Sequence, residues 1–295
     1  MKMSVINQHV TSDYALYNGD SAKVMQGMPD NSIDYSVYSP PFSSLYTYSN
    51  SLNDLSNCKS HEEFFEHYKY IIRENLRITK PGRLCTVHVT NLSTTKSNEG
   101  YTGLIDFKGD VIRAYQKEGW IYHAEAVVWK DPRIAAQRTK TQGLLYATFR
   151  KDATKCRMGL PDYMITFKKP GESEVPVTHD PDDFDLDYWA ELASPVWMTV
   201  DSSNVLQKVK DDKDERHMTP TQLDVLERAI QLYSNEGETV FSPFNGIGSE
   251  GYQSLKMDRK YIGIELKSTY FEVAKKNIEK ALLERGQIDI FDLGV

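Results

Sequence analysis

Thr239-Val240-Phe241-Ser242-Pro243-Phe244-Asn245-Gly246-Ile247-Gly248-Ser249-Glu250-Gly251 is the stretch on which the reading of the fold turns. Its first three residues have the β-branched and aromatic make-up of a buried strand. The glycines then break that strand, and a helix is predicted through about Met257. Tyr261-Ile262-Gly263-Ile264 reads as the next strand and ends in Glu265. Strand, glycine turn, helix, strand and terminal carboxylate make a nucleotide-binding βαβ unit. Glycines let the backbone approach a ligand closely, and the carboxylate can take ribose hydroxyls. Gly246, Gly248 and Gly251 together satisfy G-x-G-x-x-G.

Only one further helix, about Ser268 to Arg285, and a short tail follow this unit. That remnant cannot complete a doubly wound sheet, so the other strands must come from upstream. Candidates end at Ser39, Val89, Trp129 and Phe167. A nicotinamide dehydrogenase commonly carries its fingerprint ahead of the remaining strands of that domain, and the order here argues against one.

The first of those strands, Ile33-Asp34-Tyr35-Ser36-Val37-Tyr38, runs into Ser39-Pro40-Pro41-Phe42. Two prolines cannot continue a ladder, so the strand stops there. Ser39 precedes a proline and is biased to an extended backbone. Its hydroxyl and the neighbouring carbonyls can then project beyond the strand's C-terminal edge, where open α/β sheets bind ligands. Phe42 sets an aromatic face beside these acceptors, a pairing that could hold a planar base by its amino group. Taken alone, the tetrapeptide reads more readily as a Pro-Pro turn with a core Phe.

Between these two motifs the chain alternates strands and helices. Tyr14 to Tyr17 reads as a strand, and Asp20 as the cap of a helix reaching about Met28. Ser43 to Asn57, with Tyr46 and Tyr48, has no clear period and reads as a surface loop or a mobile loop over the site. Phe64, Phe65, Tyr68, Ile71, Ile72 and Leu76 recur at helical steps, and Pro81-Gly82 is expected to end the connection after them. Leu84 to Val89 is the next strand, with His88 read as a satisfied core residue. A helix over Asp110–Glu118 and strands over His123–Trp129 and Tyr163–Phe167 follow.

Charge divides the middle of the chain. Lys130, Arg133, Arg138, Lys140, Arg150, Lys151, Lys155 and Arg157 face only Asp131 and Asp152 in the same span. That clustering suits phosphate contact, with a solvated loop face as the alternative. Glu172 to Asp187 is then acidic and interrupted by Pro176 and Pro181, which reads as a solvated linker. The formal net charge of −7 excludes a uniformly basic coat, though not a local basic face. Hydrophobic content of 40% and charged content of 26% are ordinary for a soluble globular protein. No stretch is apolar enough to span a bilayer, and the first residues lack the apolar core of a signal peptide. Cytoplasmic location with no membrane partner is therefore the expectation. Cys58, Cys85 and Cys156 are scattered, without metal-ligand spacing, so neither a metal site nor a disulfide framework is expected.

In this order the motifs resemble those of the β-class DNA amino-methyltransferases. In that family a (Ser/Asn/Asp)-Pro-Pro-(Tyr/Phe) element precedes the target-recognition region, and a Phe-x-Gly-x-Gly cofactor element comes after it. Ser39-Pro40-Pro41-Phe42 and Phe244-Asn245-Gly246-Ile247-Gly248 fit in sequence. Glu265 matches the family's ribose-binding acid, and Asp20 an acidic residue near the cofactor's adenine. His217-Met218-Thr219-Pro220-Thr221-Gln222 is similar to the family's His-Pro-Thr-Gln-Lys-Pro element, and Ser194-Pro195-Val196-Trp197 to its Asp-Val-Trp element. Ser242 departs from the usual Asp before Pro-Phe, and the Lys-Pro end is missing after Gln222.

The resemblance implies an α/β, Rossmann-like methyltransferase fold, circularly permuted. It has a mostly parallel sheet, helices on both faces and an inserted recognition region. Residues 1–130 would form the catalytic half, 131–216 the recognition region and 217–295 the cofactor half. The implied reaction moves a methyl group from S-adenosyl-L-methionine to an exocyclic amine of a flipped DNA base, N4 of cytosine slightly ahead of N6 of adenine. Ser39, Pro40, Pro41 and Phe42 would be catalytic, and Asp20, Phe244, Asn245, Gly246, Gly248 and Glu265 would bind the cofactor. Arg133, Arg138 and Lys140 are the expected DNA contacts. C5-cytosine methylation is disfavoured, because that family's nucleophilic thiol follows a proline and none of the three cysteines does. A non-enzymatic nucleic-acid-binding protein on the same fold, a dinucleotide-dependent oxidoreductase, and RNA as substrate stay open at this point.

Overall fold

The computed structural model describes residues 5–41, 58, 60–139, 145–180, 185–207 and 220–292, with backbone alone at 98–99, 136–139 and 287–292. Phe42, Tyr46, Tyr48, Lys140 and His217-Met218-Thr219 lie outside the described residues, as does the side chain of Arg138, whereas Thr221 and Gln222 are buried ahead of the helix that starts at Leu223.

The strands are β1 (Asn7–Val10), β2 (Tyr14–Asn18), β3 (Ile33–Tyr38), β4 (Thr79–Val89), β5 (Leu92–Ser93), β6 (Leu104–Ile105), β7 (Ile121–Val128), β8 (Asp162–Lys168), β9 (Val196–Trp197), β10 (Thr239–Ser242) and β11 (Lys260–Glu265). The helices are α1 (Ser21–Met25), α2 (His61–Ile78), α3 (Lys96–Glu99), α4 (Phe107–Lys117), α5 (Pro132–Thr139), α6 (Tyr146–Lys151), α7 (Leu186–Ala193), α8 (Leu223–Tyr233), α9 (Ser249–Lys256) and α10 (Ser268–Asp292).

Nine strands form one sheet in the order β1-β2-β11-β10-β3-β4-β8-β7-β9. β2, β11, β10, β3 and β4 are mutually parallel, whereas β8 runs antiparallel between β4 and β7. The late strands β10 and β11 sit between the early strands β2 and β3. This interleaving is the permuted order that the late glycine motif demanded.

Both faces of the sheet are covered at its centre, where all six residues of β3 are buried, which is why β3 reads as a continuous apolar run rather than an alternating one. One core joins Tyr35, Val37 and Val240 to Leu226, Ile230, Phe271 and Ile278 of α8 and α10. The other joins Tyr38, Cys85, Val87 and Phe241 to Phe64, Tyr68 and Tyr115 of α2 and α4. Beneath the end of β3 the second core holds a polar cluster. Asn75 Oδ1 accepts from Ser36 at 3.0 Å, and the Tyr115 hydroxyl bonds those of Tyr38 and Tyr68. Tyr115 also stacks on Phe167, with ring centroids 4.0 Å apart. Buried polar groups of this kind are tolerable only when paired.

Three local expectations need correction. β4 begins at Thr79, so Pro81-Gly82 lies within the strand rather than ending the connection before it. The β3–β4 register shifts between Ile33 and Tyr35, which accommodates the irregularity. Gly82 has φ +72°, and a Cβ there would lie 2.3 Å from the Ser173 backbone nitrogen. The basic span is not simply a loop, since it contains α5, α6 and a 3-10 turn at Ala153–Lys155. The acidic segment is partly built as well: Asp185 caps α7 by accepting from the Tyr188 amide at 2.7 Å.

Candidate active site

The parallel strands end along one edge of the sheet, and the motif residues collect there. β2 delivers Asp20, β11 delivers Glu265, β10 delivers the Phe244–Gly248 turn, and β3 delivers Ser39 and Pro40. β4 ends beside them, and antiparallel β8 starts there with Asp162. Residues far apart in sequence are neighbours because β10 pairs with β11 on one side and β3 on the other.

The glycine turn is held from below. The Asn245 amide donates to the Ile264 carbonyl at 2.9 Å, and the Gly248 amide to the Asn245 carbonyl at 2.8 Å. Glu265 accepts from the Gly246 amide through Oε2 at 2.7 Å and from the Lys267 amide through Oε1 at 2.8 Å. Gly246 and Gly248 have φ of +52° and +87°, a region costly for other residues. A Cβ on Gly246 would meet nothing within 4 Å, whereas one on Gly248 would press on Ala274 at 3.2 Å. Gly251 serves packing: its Cβ would lie 2.6 Å from both Ile278 Cδ1 and Tyr261 Cε1.

Asn245 and Ser242 face inward. Asn245 is 1% exposed, and its Oδ1 accepts from the Tyr261 hydroxyl at 2.7 Å. Ser242 is buried, and its Oγ accepts from the Phe244 amide at 3.3 Å. Both brace the turn, so the replacement of the family's usual Asp by Ser242 falls within the protein interior. Asp20 caps α1, with Oδ1 accepting from the Ala22 amide at 3.0 Å. Sequence reasoning missed Glu250 in the first turn of α9. Burial, with the charge of Glu265 nearby, pushes its carboxyl up to about 8, so it is mostly neutral at pH 7.

Ser39 Oγ donates to the His88 carbonyl at 3.1 Å, which ties the end of β3 to the end of β4. That bond engages the hydroxyl hydrogen and leaves the oxygen's lone pairs for another donor. Phe244 sets its ring against Tyr38 (centroids 5.7 Å) and Tyr68 (6.2 Å), so it packs under the junction of the two motifs.

The basic span contributes less free charge than its composition implies. Lys130 pairs with Asp162 at 2.5 Å, Arg133 with Asp131 at 2.5 Å, and Lys155 with Asp152 at 3.4 Å. The Arg133 pair holds the Asp131 carboxyl down at about 2. Arg150 and Lys151 at the end of α6 have no ion pair among the described residues. The Arg150 guanidinium lies over the Tyr146 ring at 5.9 Å, and Tyr146 and Phe149 are both exposed. Basic and aromatic side chains thus share one short helix, a feature that the charge pattern alone did not isolate.

Comparison with known proteins bears on this arrangement. The Thermus thermophilus protein TTHA0409, solved with S-adenosyl-L-methionine, superposes with a TM-score of 0.66 over 92% of this chain and 96% of its own, at 18% identity. The cytosine-N4-specific PvuII DNA methyltransferase superposes with a TM-score of 0.64 over 97% and 96%, at 15% identity. At such identities the likeness establishes the fold. Among curated proteins, the Type II beta methyltransferase M.BslI of Bacillus sp. (strain NEB-606) is 24% identical over 91% of this chain. M.BglI of Bacillus subtilis, a Type II methyltransferase, is 25% identical over 62% of it. The aligned parts amount to 28% and 46% of those two proteins, so the chain spans less than half the length of either. The family model described as DNA methylase matches residues 33–276, from the start of β3 into α10, and the chain is therefore a member of that family.

Proposed function

We propose that the protein methylates an exocyclic amino group of a DNA base with S-adenosyl-L-methionine as methyl donor. The observation that carries the reading is the adjacency of the two motifs, with Ser39-Pro40 at the end of β3 beside the Phe244–Gly248 turn at the end of β10. The cradle fits the cofactor in two respects. Gly246 has room where a side chain would otherwise stand. The Glu265 carboxylate, which has about four lone-pair sites, stands beside it as an acceptor for a ribose hydroxyl. When bound, S-adenosyl-L-methionine supplies an activated methyl group on a sulfonium.

The chain's own residues do the rest. The lone pair of the target amine is delocalised into its ring, which makes it a poor nucleophile. Ser39 Oγ and the Pro40 carbonyl accept its hydrogens and favour the rehybridised nitrogen that attacks in line. Phe42 stacks on the flipped base. No covalent enzyme intermediate is required. The neutral Ser39 favours N4 of cytosine slightly over N6 of adenine. Methyl-labelled S-adenosyl-L-methionine incubated with the pure protein and DNA tests the reading: label in the DNA supports it, and unlabelled DNA contradicts it.

The basic span supplies phosphate contacts in this account. Arg133, Arg138 and Lys140 are retained as contacts, with Arg133 released from Asp131 when it meets a phosphate. Arg150 and Lys151 join them. Replacing both of the latter by Ala should lower DNA affinity and reduce the slope of log affinity against log salt by about 1–2. An unchanged slope in a salt titration would assign α6 to solvent.

A further inference from the structure

His88 is the polar group that the account so far leaves idle. It lies on β4, and the pairing of Tyr38 with Val87 sets it across from Ser39. The 3.1 Å bond from Ser39 Oγ to the His88 carbonyl fixes that adjacency. Alternation places both side chains on the face of the sheet that carries Tyr35, Val37 and Met164. The reading of a satisfied core histidine holds for one side of the ring only: Nε2 meets the Asp162 carboxylate, whereas Nδ1 has no hydrogen-bond partner among the described residues and the residue is 8% exposed. A buried polar atom without a partner is uncommon and calls for an explanation, a catalytic role among them.

The ring is nonetheless oriented. Nε2 lies 3.2 Å from Asp162 Oδ2, out of line for a hydrogen bond but close enough for an ionic contact. Asp162 is itself buried and clamped by Lys130 at 2.5 Å. A carboxylate at Nε2 draws the ring proton to that side and leaves Nδ1 with a free lone pair. This is not a hydrolytic triad, since the Ser39 hydroxyl bonds the His88 backbone rather than its ring.

We infer that His88 belongs to the target-base site and that its Nδ1 receives the proton which the target amine loses on methylation. The inference rests on the proposed function of Ser39. The amine lone pair forms the bond to the methyl carbon as that carbon's bond to sulfur breaks, the pair staying on sulfur. One N–H proton passes to Nδ1, directly or through one water, and leaves to solvent after the product departs. The acidic groups of this edge are engaged: Asp20 caps α1, Glu265 holds two amides, Asp162 is held by Lys130, and Glu250 is buried and already carries its proton at pH 7. Ser39 is neutral, and its hydroxyl cannot keep the proton.

The test compares His88→Gln, which nearly preserves volume, with His88→Gly, which opens room for free imidazole; Ser39→Ala is run alongside. Single-turnover methyl transfer, calorimetric affinity for S-adenosyl-L-methionine and melting temperature are measured for each. His88→Gln should lose about tenfold or more in rate with cofactor affinity essentially unchanged, and imidazole should restore a large part of the His88→Gly rate. A wild-type rate in His88→Gln, a loss that imidazole does not relieve, or a parallel loss of cofactor affinity would each overturn the inference. An active Ser39→Ala would instead refute the base-site reading on which it rests. An inactive Ser39→Ala beside a fully active His88→Gln would refute the role of His88 alone.

Discussion

Gly246→Val should abolish binding of S-adenosyl-L-methionine while leaving the protein folded. Gly246 sits at φ +52° in the turn between β10 and α9, with its amide on Glu265. Among the described residues nothing beyond its chain neighbours lies within 4 Å of where a Cβ would stand, so the Cβ meets no clash in the fold. The cost to stability is the left-handed backbone itself, about 1–3 kcal/mol for a residue other than glycine. Binding is a different matter. The isopropyl group would occupy the space through which the cofactor must reach the backbone and Glu265. Calorimetry should show no measurable heat of binding, with circular dichroism close to wild type. Unchanged affinity would remove the glycine turn from the cofactor site.

Gly251→Val, five residues along the same motif, should do the reverse and act through the fold. The Cβ would lie 2.6 Å from Ile278 Cδ1 and 2.6 Å from Tyr261 Cε1. Ile278 can shift its terminal methyl, but the Tyr261 ring is 1% exposed and tied through its hydroxyl to Asn245. Overpacking of this sort costs about 1–3 kcal/mol and pushes α9 away from β11 and α10. The melting temperature should fall by several degrees, roughly 2–4 °C for each kcal/mol lost. Cofactor affinity should weaken only as far as the turn is displaced. A Gly251→Val protein as stable as wild type would show that helix and strand are less closely apposed than described. Two glycines of one fingerprint thus separate binding from packing.

The legible part of the molecule was the part encoded locally. Gly246, Gly248 and Glu265 could be placed because strand, turn, helix and strand follow one another without interruption along the chain. Ser39-Pro40-Pro41 was legible as a strand end because proline forbids the ladder. The helices of β-α-β connections showed in their periodicity. What escaped was set by pairing across distance. β1 is the polar run Asn7–Val10, and it is a strand only because β2 offers it an antiparallel edge. β4 passes through Pro81-Gly82 because the chain at Ser173 packs against the irregularity. Asn245 lies inside a cofactor motif, yet its side chain points to Tyr261, which no local pattern discloses. His88 looked like core because burial is all that a strand pattern reports. Its partner Asp162 arrives on antiparallel β8, and the missing bond at Nδ1 emerges only from the assembled edge.

The central claim is that Ser39 and its neighbours present a base amine to an activated methyl group without covalent attack on the base. Nucleoside mass spectrometry of DNA treated with the pure protein and S-adenosyl-L-methionine tests it most directly. The account predicts a methylated exocyclic amine, N4-methylcytosine ahead of N6-methyladenine, and its loss in Ser39→Ala. N6-methyladenine alone would reverse the order of the two bases and keep the mechanism. 5-Methylcytosine, or DNA with no methylated nucleoside, would contradict the account.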